Sequence, residues 1–461
     1  MAEQKNKIEN VQEAVVNRLH GDKVLWVIVF LLSLISIALI YSASSSLAYK
    51  QHTTNFGILL KHLRFIVFGI VALYTCYKIP PKWYRMFSFP LFAFSIMLLV
   101  VTLLIGEKTN DAQRWLVIGG IKFQPAEFAK IAMVLYLARA LEIMKIDTYK
   151  SFLIKIIAPI AVACILIMVG SISAALYMGL ISFIILFLAG IKHSYLLKTI
   201  GLGAAGLVLL FVLHLASKPL TGENRGIFPR FDTAVERIKR HVTKSDAIDE
   251  TATLSKREQQ KIADESLQAD MAQIAVKEGG LIGKGPGNSI QRHVLPHPYS
   301  DYVYAIIIEE YGMFGGLFVL MLYIWFFYRC VGIVKGCKTV FSAVTVGGLG
   351  TVIMVQAMLH ILVNVGIFPV TGHTLPLVSL GGTSFVVVSS AIGIILSISR
   401  TKDDALAALE ESRRLEKEQQ KEERRREREA EKEIVVQESE SSAENSVENY
   451  TDYTESYTET E

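Results

Sequence analysis

Long apolar blocks alternate with short polar ones along most of this chain. The runs at 24–43, 58–77, 86–106, 125–141, 196–217, 303–327, 341–367 and 379–398 are each near the length of about 20 residues that a bilayer core demands of a helix. The run at 156–190 is too long for one helix, and Gly170–Ser173 divides it into two. The pattern predicts an all-α polytopic membrane protein, a bundle of ten transmembrane helices. Residues 24–400 form that membrane domain, with a large extracytoplasmic loop, 218–302, between spans 7 and 8. The segment 1–23 precedes it, and a charged tail, 401–461, follows.

Charge sets the orientation. Lys78, Lys82, Arg85, Lys145, Lys150, Lys192, Arg329, Lys335, Lys338 and Arg400 collect on one side, against Lys50, Lys108, Arg114 and Lys122 in the short loops of the other. By the positive-inside rule both termini are cytoplasmic. The loops at 107–124, 218–302 and 368–378 then face outward, with the break at 170–173. The net charge of +4 says little, because basic residues are sorted by membrane side. The polar start leads into a full-length span, so no cleavable signal peptide is expected. The four cysteines read as packing residues without a disulfide framework. The tail is helix-prone over 403–434 and then acidic and rich in Ser, Thr and Tyr; it is a solvated extension or a docking site for cytoplasmic partners.

Candidate chemistry gathers at the outward ends. Glu127 and Lys130 stand three residues apart at the start of the fourth span, on one helix face. They form an ion pair that fixes the helix end, or line a cavity where Lys130 holds phosphate oxygens. Asp301 lies where the large loop passes into span 8; it is a helix N-cap or a catalytic acid. Glu309 and Glu310 lie two turns deeper and are expected to pair with Gln356, His360 or Asn364. Gly285, Gly287, Asn288 and Ser289 form a turn that could aim backbone N–H groups at a phosphate. The cluster Arg225, Arg230, Arg237, Lys239, Arg240 and Lys244 would attract anionic headgroups. The helical pattern at 263–278 stops at Gly279–Gly280 and is expected to lie flat on the membrane. No metal-ligand spacing, Ser-His-Asp arrangement or nucleotide-binding loop is visible.

Taken as a set, several motifs carry a resemblance. They are YSASS at 41–45, RW with QPAEFAK at 114–130, GKGPGNSIQ with LPHPYSDY at 283–302, EEYG at 309–312 and NVGIFPVTGHTLPLVSLGGTS at 364–384. With these the chain resembles the FtsW/RodA/SpoVE (SEDS) family of bacterial cell-wall proteins, and its long charged tail is most like the division-type members. The resemblance implies a peptidoglycan glycosyltransferase of the inner membrane that polymerises lipid II during cell division, at the septum. Its partners would be a class B penicillin-binding protein and other divisome proteins, with no nucleic acid. It puts the catalytic acid on Asp301. Supporting roles fall on Arg114, Trp115, Gln124, Glu127 and Lys130, and on the motif residues Gly285, Gly287, Asn288, Ser289, Glu309, Glu310, Ser379, Gly381 and Gly382. The resemblance fixes no cofactor and leaves a divalent cation, Mg or Mn, open.

Two departures stand out. Where the family carries an acid between spans 5 and 6, this chain reads Val169-Gly170-Ser171-Ile172-Ser173-Ala174. Where the resemblance puts a lysine in the last external loop of many division-type members, it has Thr371, so that a basic contact is lost there or supplied by His373. A lipid II flippase and a non-catalytic divisome scaffold are the alternative readings.

Overall fold

The computed structural model describes residues 21–43, 54–109, 112–217, 256–295 and 299–401. The basic cluster Arg225–Lys244 and the tail beyond 401 lie outside the described residues. In chain order the elements are α1 (Lys23–Ala43), α2 (Asn55–Lys78), α3 (Pro81–Ile105), β1 (Glu107–Thr109), β2 (Ala112–Ile118), β3 (Ile121–Phe123) and α4 (Pro125–Ile143). Then come α5 (Tyr149–Gly170), α6 (Ile172–Leu188), α7 (His193–Ser217), α8 (Lys256–Gly279), α9 (Val303–Lys335), α10 (Val340–Asn364) and α11 (Thr383–Thr401).

Among the described residues eight helices, α1, α2, α3, α5, α7, α9, α10 and α11, are long and apolar enough to cross a membrane. The other two apolar segments of the sequence are also helices. However, α6 is only 17 residues long, and α4 carries Glu127, Lys130, Arg139 and Glu142 in its 19. That charge is sheltered by position: α4 is buried on almost every face from Ala129 to Ala138 and packs against α3 and α10. Gly348 on α10 is what allows the approach, since a Cβ there would meet the Val134 side chain at 2.6 Å.

Local chemistry explains most boundaries. Thr54 caps α2 by accepting from the Gly57 amide. Pro81 does more than end the second span: it occupies the first turn of α3, where a missing N–H is harmless. The break in the long run falls at Ser171, whose hydroxyl caps α6.

The polar loop 107–124 of this chain, whose fold was expected to be all-α, is a three-stranded antiparallel meander. Gly119 and Gly120 both adopt left-handed φ, +57° and +79°. Such a turn matches the twist of paired strands, and a Gly-Gly pair between apolar-rich runs is its signal. β2 rests on the end of α5, with the Gln113 carbonyl 3.3 Å and the Arg114 Cβ 3.5 Å from where a Gly170 Cβ would be.

Toward its end the apolar face of α8 is covered by protein, while Leu267 stays exposed. Ala272 and Ala275 pack with Leu295, Tyr302, Ala305 and Ile306, so α8 docks on the first turns of α9 where a flat membrane helix was expected. The junction is made by backbone. At Gly312 (φ +69°) the helical ladder of α9 opens. The freed carbonyls of Glu309 and Glu310 accept from the amides of Lys284 and Gly285, and the amides of Met313 and Phe314 donate to Gly280 and Leu281. A Cβ on Gly312 would run into the Leu281 carbonyl. Gly312→Ala is therefore expected to cost about 2–4 kcal/mol, from left-handed backbone and overlap together. Thermal unfolding of the purified chain checks this; an unchanged melting temperature would contradict it.

Candidate active site at the loop-bearing end of the bundle

Lys130 is the centre of a buried polar group. Its Nζ lies 2.8 Å from Glu127 Oε2, both side chains being nearly inaccessible, and donates to Gln356 Oε1 at 3.0 Å. It also stands 5.1 Å from the Tyr177 ring centroid. Gln356 Nε2 donates to the Thr374 carbonyl. One turn along α10, His360 Nδ1 donates to the His373 carbonyl at 2.7 Å. The His373 ring lies 5.0 Å from Tyr177. Burial and the neighbouring Lys130 charge push the His373 imidazole down to about 4, so it is neutral near pH 7. Of the two sequence readings of the pair, the ion pair is what the structure shows, with both side chains nearly inaccessible.

Asp301 is held by its main chain. Asn364, fully buried at the end of α10, donates from Nδ2 to the Asp301 carbonyl, while its Oδ1 accepts from the Ala305 amide, both at 3.0 Å. Ser379 Oγ donates to the Ser300 carbonyl, and the Leu380 amide to that of Tyr299. Helix α9 begins at Val303 with Tyr302 in the N-cap position, so that position does not belong to Asp301. Burial, and next the Asp301 charge, raise the Tyr299 phenol above its ordinary range.

Two elements, α10 and the loop 365–382, therefore frame both Lys130 and Asp301. Ser379, Gly381 and Gly382 belong to this loop and precede α11, where a span beginning at 379 was expected. The Thr383 hydroxyl donates to the Lys122 carbonyl, tying the loop to β3.

Glu309 and Glu310 are placed differently from expectation. Neither pairs with Gln356, His360 or Asn364, which serve Lys130, His373 and Asp301. Glu309, fully buried, accepts from Lys284 Nζ (3.0 Å), Ser289 Oγ and the amides of Ile290 and Gln291. Glu310 accepts from Ser42 Oγ, with the Gly287 and Ser289 backbone and Arg292 also around it. Arg292 in turn reaches the Ser42 carbonyl at 3.2 Å.

The amides of Gly287 and Ser289 thus face the Glu310 carboxylate, while those of Gly285 and Asn288 go to the main-chain carbonyls of Glu310 and Gly285, so the turn spends its N–H groups within the protein. Asn288 Nδ2 donates to the Lys284 carbonyl, closing the turn. The physical reason is proximity: the open ladder at Gly312 lays this loop against α9, and two buried acids need donors. The Glu278 hydrogen bond, first, and Glu309 raise the Lys284 ammonium above its usual range. Glu309→Ala would strand three donors and a lysine. It is expected to lower stability by about 2–4 kcal/mol, with Glu309→Gln losing less because one oxygen remains. Denaturant unfolding tests this, and equal loss in both variants would contradict it.

Arg114, Gln113 and Gln124 line a groove between α3, α5 and α6 whose other walls are Leu99, Leu103, Leu166, Ile167 and Ser171. One flank is aliphatic and the other carries hydrogen-bonding groups, as suits an amphiphile. Trp115 is partly buried on β2 and pairs in register with Glu107. Among the described residues no three His, Cys, Asp or Glu side chains meet in a metal-holding group. Sequence reasoning missed Tyr177, Ser42, Arg292 and Lys284. Ser42, inside the YSASS motif, and Lys284, inside GKGPGNSIQ, carried a signal.

A bundle of apolar helices with a buried lysine–carboxylate centre and a clamped acid at one end defines a polytopic membrane protein with a polar site at that end. The chain belongs to the FtsW/RodA/SpoVE family of cell cycle proteins, whose profile matches residues 22–404. It is 29% identical over 388 residues to stage V sporulation protein E of Bacillus subtilis, covering 82% of this chain and 97% of that one. It is 26% identical over 390 residues to the probable peptidoglycan glycosyltransferase FtsW of Haemophilus ducreyi, covering 83% and 90%. The fold is similar to the crystal structure of the rod shape determining protein RodA of Thermus thermophilus (TM-score 0.57, 20% identity, 84% and 99% covered). A chain from a peptidoglycan synthase complex that coordinates polymerization and crosslinking gives a TM-score of 0.60 at 21% identity, with 83% and 98% covered.

Proposed function

We propose that this protein is a peptidoglycan glycosyltransferase that polymerises lipid II into glycan strands during cell division. The observation that carries the reading is the shared frame. The elements that clamp the Asp301 main chain, α10 and the loop 365–382, also hold Lys130 through Gln356 and Thr374. Family membership supplies the class of reaction.

In the proposed step, the GlcNAc 4-hydroxyl of the acceptor attacks the anomeric carbon of MurNAc, with inversion. Asp301 takes the hydroxyl proton as general base. Undecaprenyl pyrophosphate leaves toward Lys130 and Arg114, fixed positive charge being the usual stabiliser of a developing anion. A divalent cation, Mg or Mn, would add to the positive charge that Lys130 and Arg114 offer the pyrophosphate. The groove at Arg114 admits lipid sideways from the bilayer. Glu309, Glu310 and the Gly285–Ser289 turn act as supports of the Asp301 loop.

In this reading α4 and α6 join the eight long helices as spans. Both termini are cytoplasmic and the site opens outward in the inner membrane, at the septum. The segment 1–23, the span domain 24–400 and the tail 401–461 are separate functional regions. A class B penicillin-binding protein crosslinks the product, other divisome proteins join the assembly, and the tail serves partners inside the cell.

Purified full-length protein in proteoliposomes, with and without that partner, would be given labelled lipid II. A ladder of glycan chains is expected. Translocation without chain growth would replace the reading with a flippase, and neither activity would leave a scaffold.

A further inference from the structure

His373 sits in the Lys130 group with half of its imidazole unused. Its Nε2 is shielded from solvent and has no hydrogen-bond partner among the described residues. The Ser173 main chain next to the ring favours its protonated form, as an accepting carbonyl does. In the neutral ring Nδ1 then carries the proton, and Nε2 is a bare lone pair. The ring lies 5.0 Å from that of Tyr177, whose face Lys130 also meets at 5.1 Å, which puts it beside the proposed leaving-group site.

The serines that replace the family's acid bring the loop down onto α6. Ser171 Oγ lies 3.1 Å from Ser173 Oγ, and Ser173 Oγ donates to the Thr371 carbonyl at 3.2 Å. His360 Nε2 is likewise without a partner, but it is enclosed within α10 packing at 1% exposure. His373 is only partly buried, in a loop. Both Nε2 atoms are shielded; that of His373 is carried by a loop and that of His360 by a packed helix.

We propose that His373 Nε2 is a substrate contact, accepting a hydrogen bond from a hydroxyl of the sugar held beside Lys130 and Arg114. The inference rests on the proposed function for the identity of that sugar. It assigns to this chain a neutral acceptor, whereas the lysine that the resemblance places in this loop of other division-type members is a donor. A lone pair kept from water and given no donor is unfavourable in the empty site, and the incoming hydroxyl relieves it.

The test uses full-length protein in proteoliposomes with fluorescent lipid II, reading binding and chain growth separately. His373→Val removes the acceptor, whereas His373→Gln keeps one in the side-chain amide. His373→Val is expected to lower kcat/KM about tenfold, with His373→Gln within about threefold of the parent, as one hydrogen bond is worth. Lipid II binding should fall in the same order. Equal kcat/KM in His373→Val and the parent would overturn the contact. So would His373→Gln losing as much as His373→Val with a matching drop in melting temperature, since that marks a structural role. If the parent binds lipid II, His373→Val weakens that binding and neither makes glycan, the contact stands and the polymerase reading falls.

Discussion

Lys130→Met is expected to lower the stability of the purified protein by about 3–5 kcal/mol, the usual result of breaking a buried ion pair from one side. The loss arises because Glu127 Oε2, 2.8 Å from Lys130 Nζ and almost out of reach of water, is left as an uncompensated charge. Gln356 Oε1 also loses its donor, and Tyr177 the cation at its face. Adding Glu127→Gln to Lys130→Met removes the stranded charge and should restore most of the stability. It should not restore polymerisation, because the positive charge meant for the pyrophosphate is still missing. Thermal unfolding and lipid II turnover, measured on the single and double variants, separate the two roles. Activity recovering together with stability would reduce Lys130 to a packing group.

How much of this could be read from the chain depended on range. Spans set by local hydrophobic runs were legible, including the break that falls at Ser171, because a 20-residue apolar stretch has few other uses. The meander at 107–123 was missed although Gly119–Gly120 announced it, because the segment was read only as polar. The partners of Glu309 and Glu310 were assigned by helical depth to Gln356, His360 and Asn364. What decides them is the opening of α9 at Gly312, which brings Lys284 and the Gly285–Ser289 turn onto the acids. A turn rich in N–H groups looks the same whether its anion is a ligand or a carboxylate twenty residues away. The Asn364 clamp on Asp301 spans 63 residues and had no local signal.

Asp301→Asn is expected to reduce chain growth by about 10²–10⁴-fold, the contribution typical of a positioned general base. Folding should survive, since Asn364 grips the residue by its main-chain carbonyl, Ser379 and Leu380 hold the two residues before it, and the change is isosteric. Asp301→Glu should recover only part of the rate, because the longer side chain moves the carboxylate away from the hydroxyl it serves.

The most direct test loads parent and Asp301→Asn protein with labelled lipid II in proteoliposomes and counts bound substrate and glycan chains in the same samples. Comparable binding and melting temperature, with chain growth below about 1% of the parent, is the predicted result. Full polymerisation by Asp301→Asn would contradict the assignment of this carboxylate as the base.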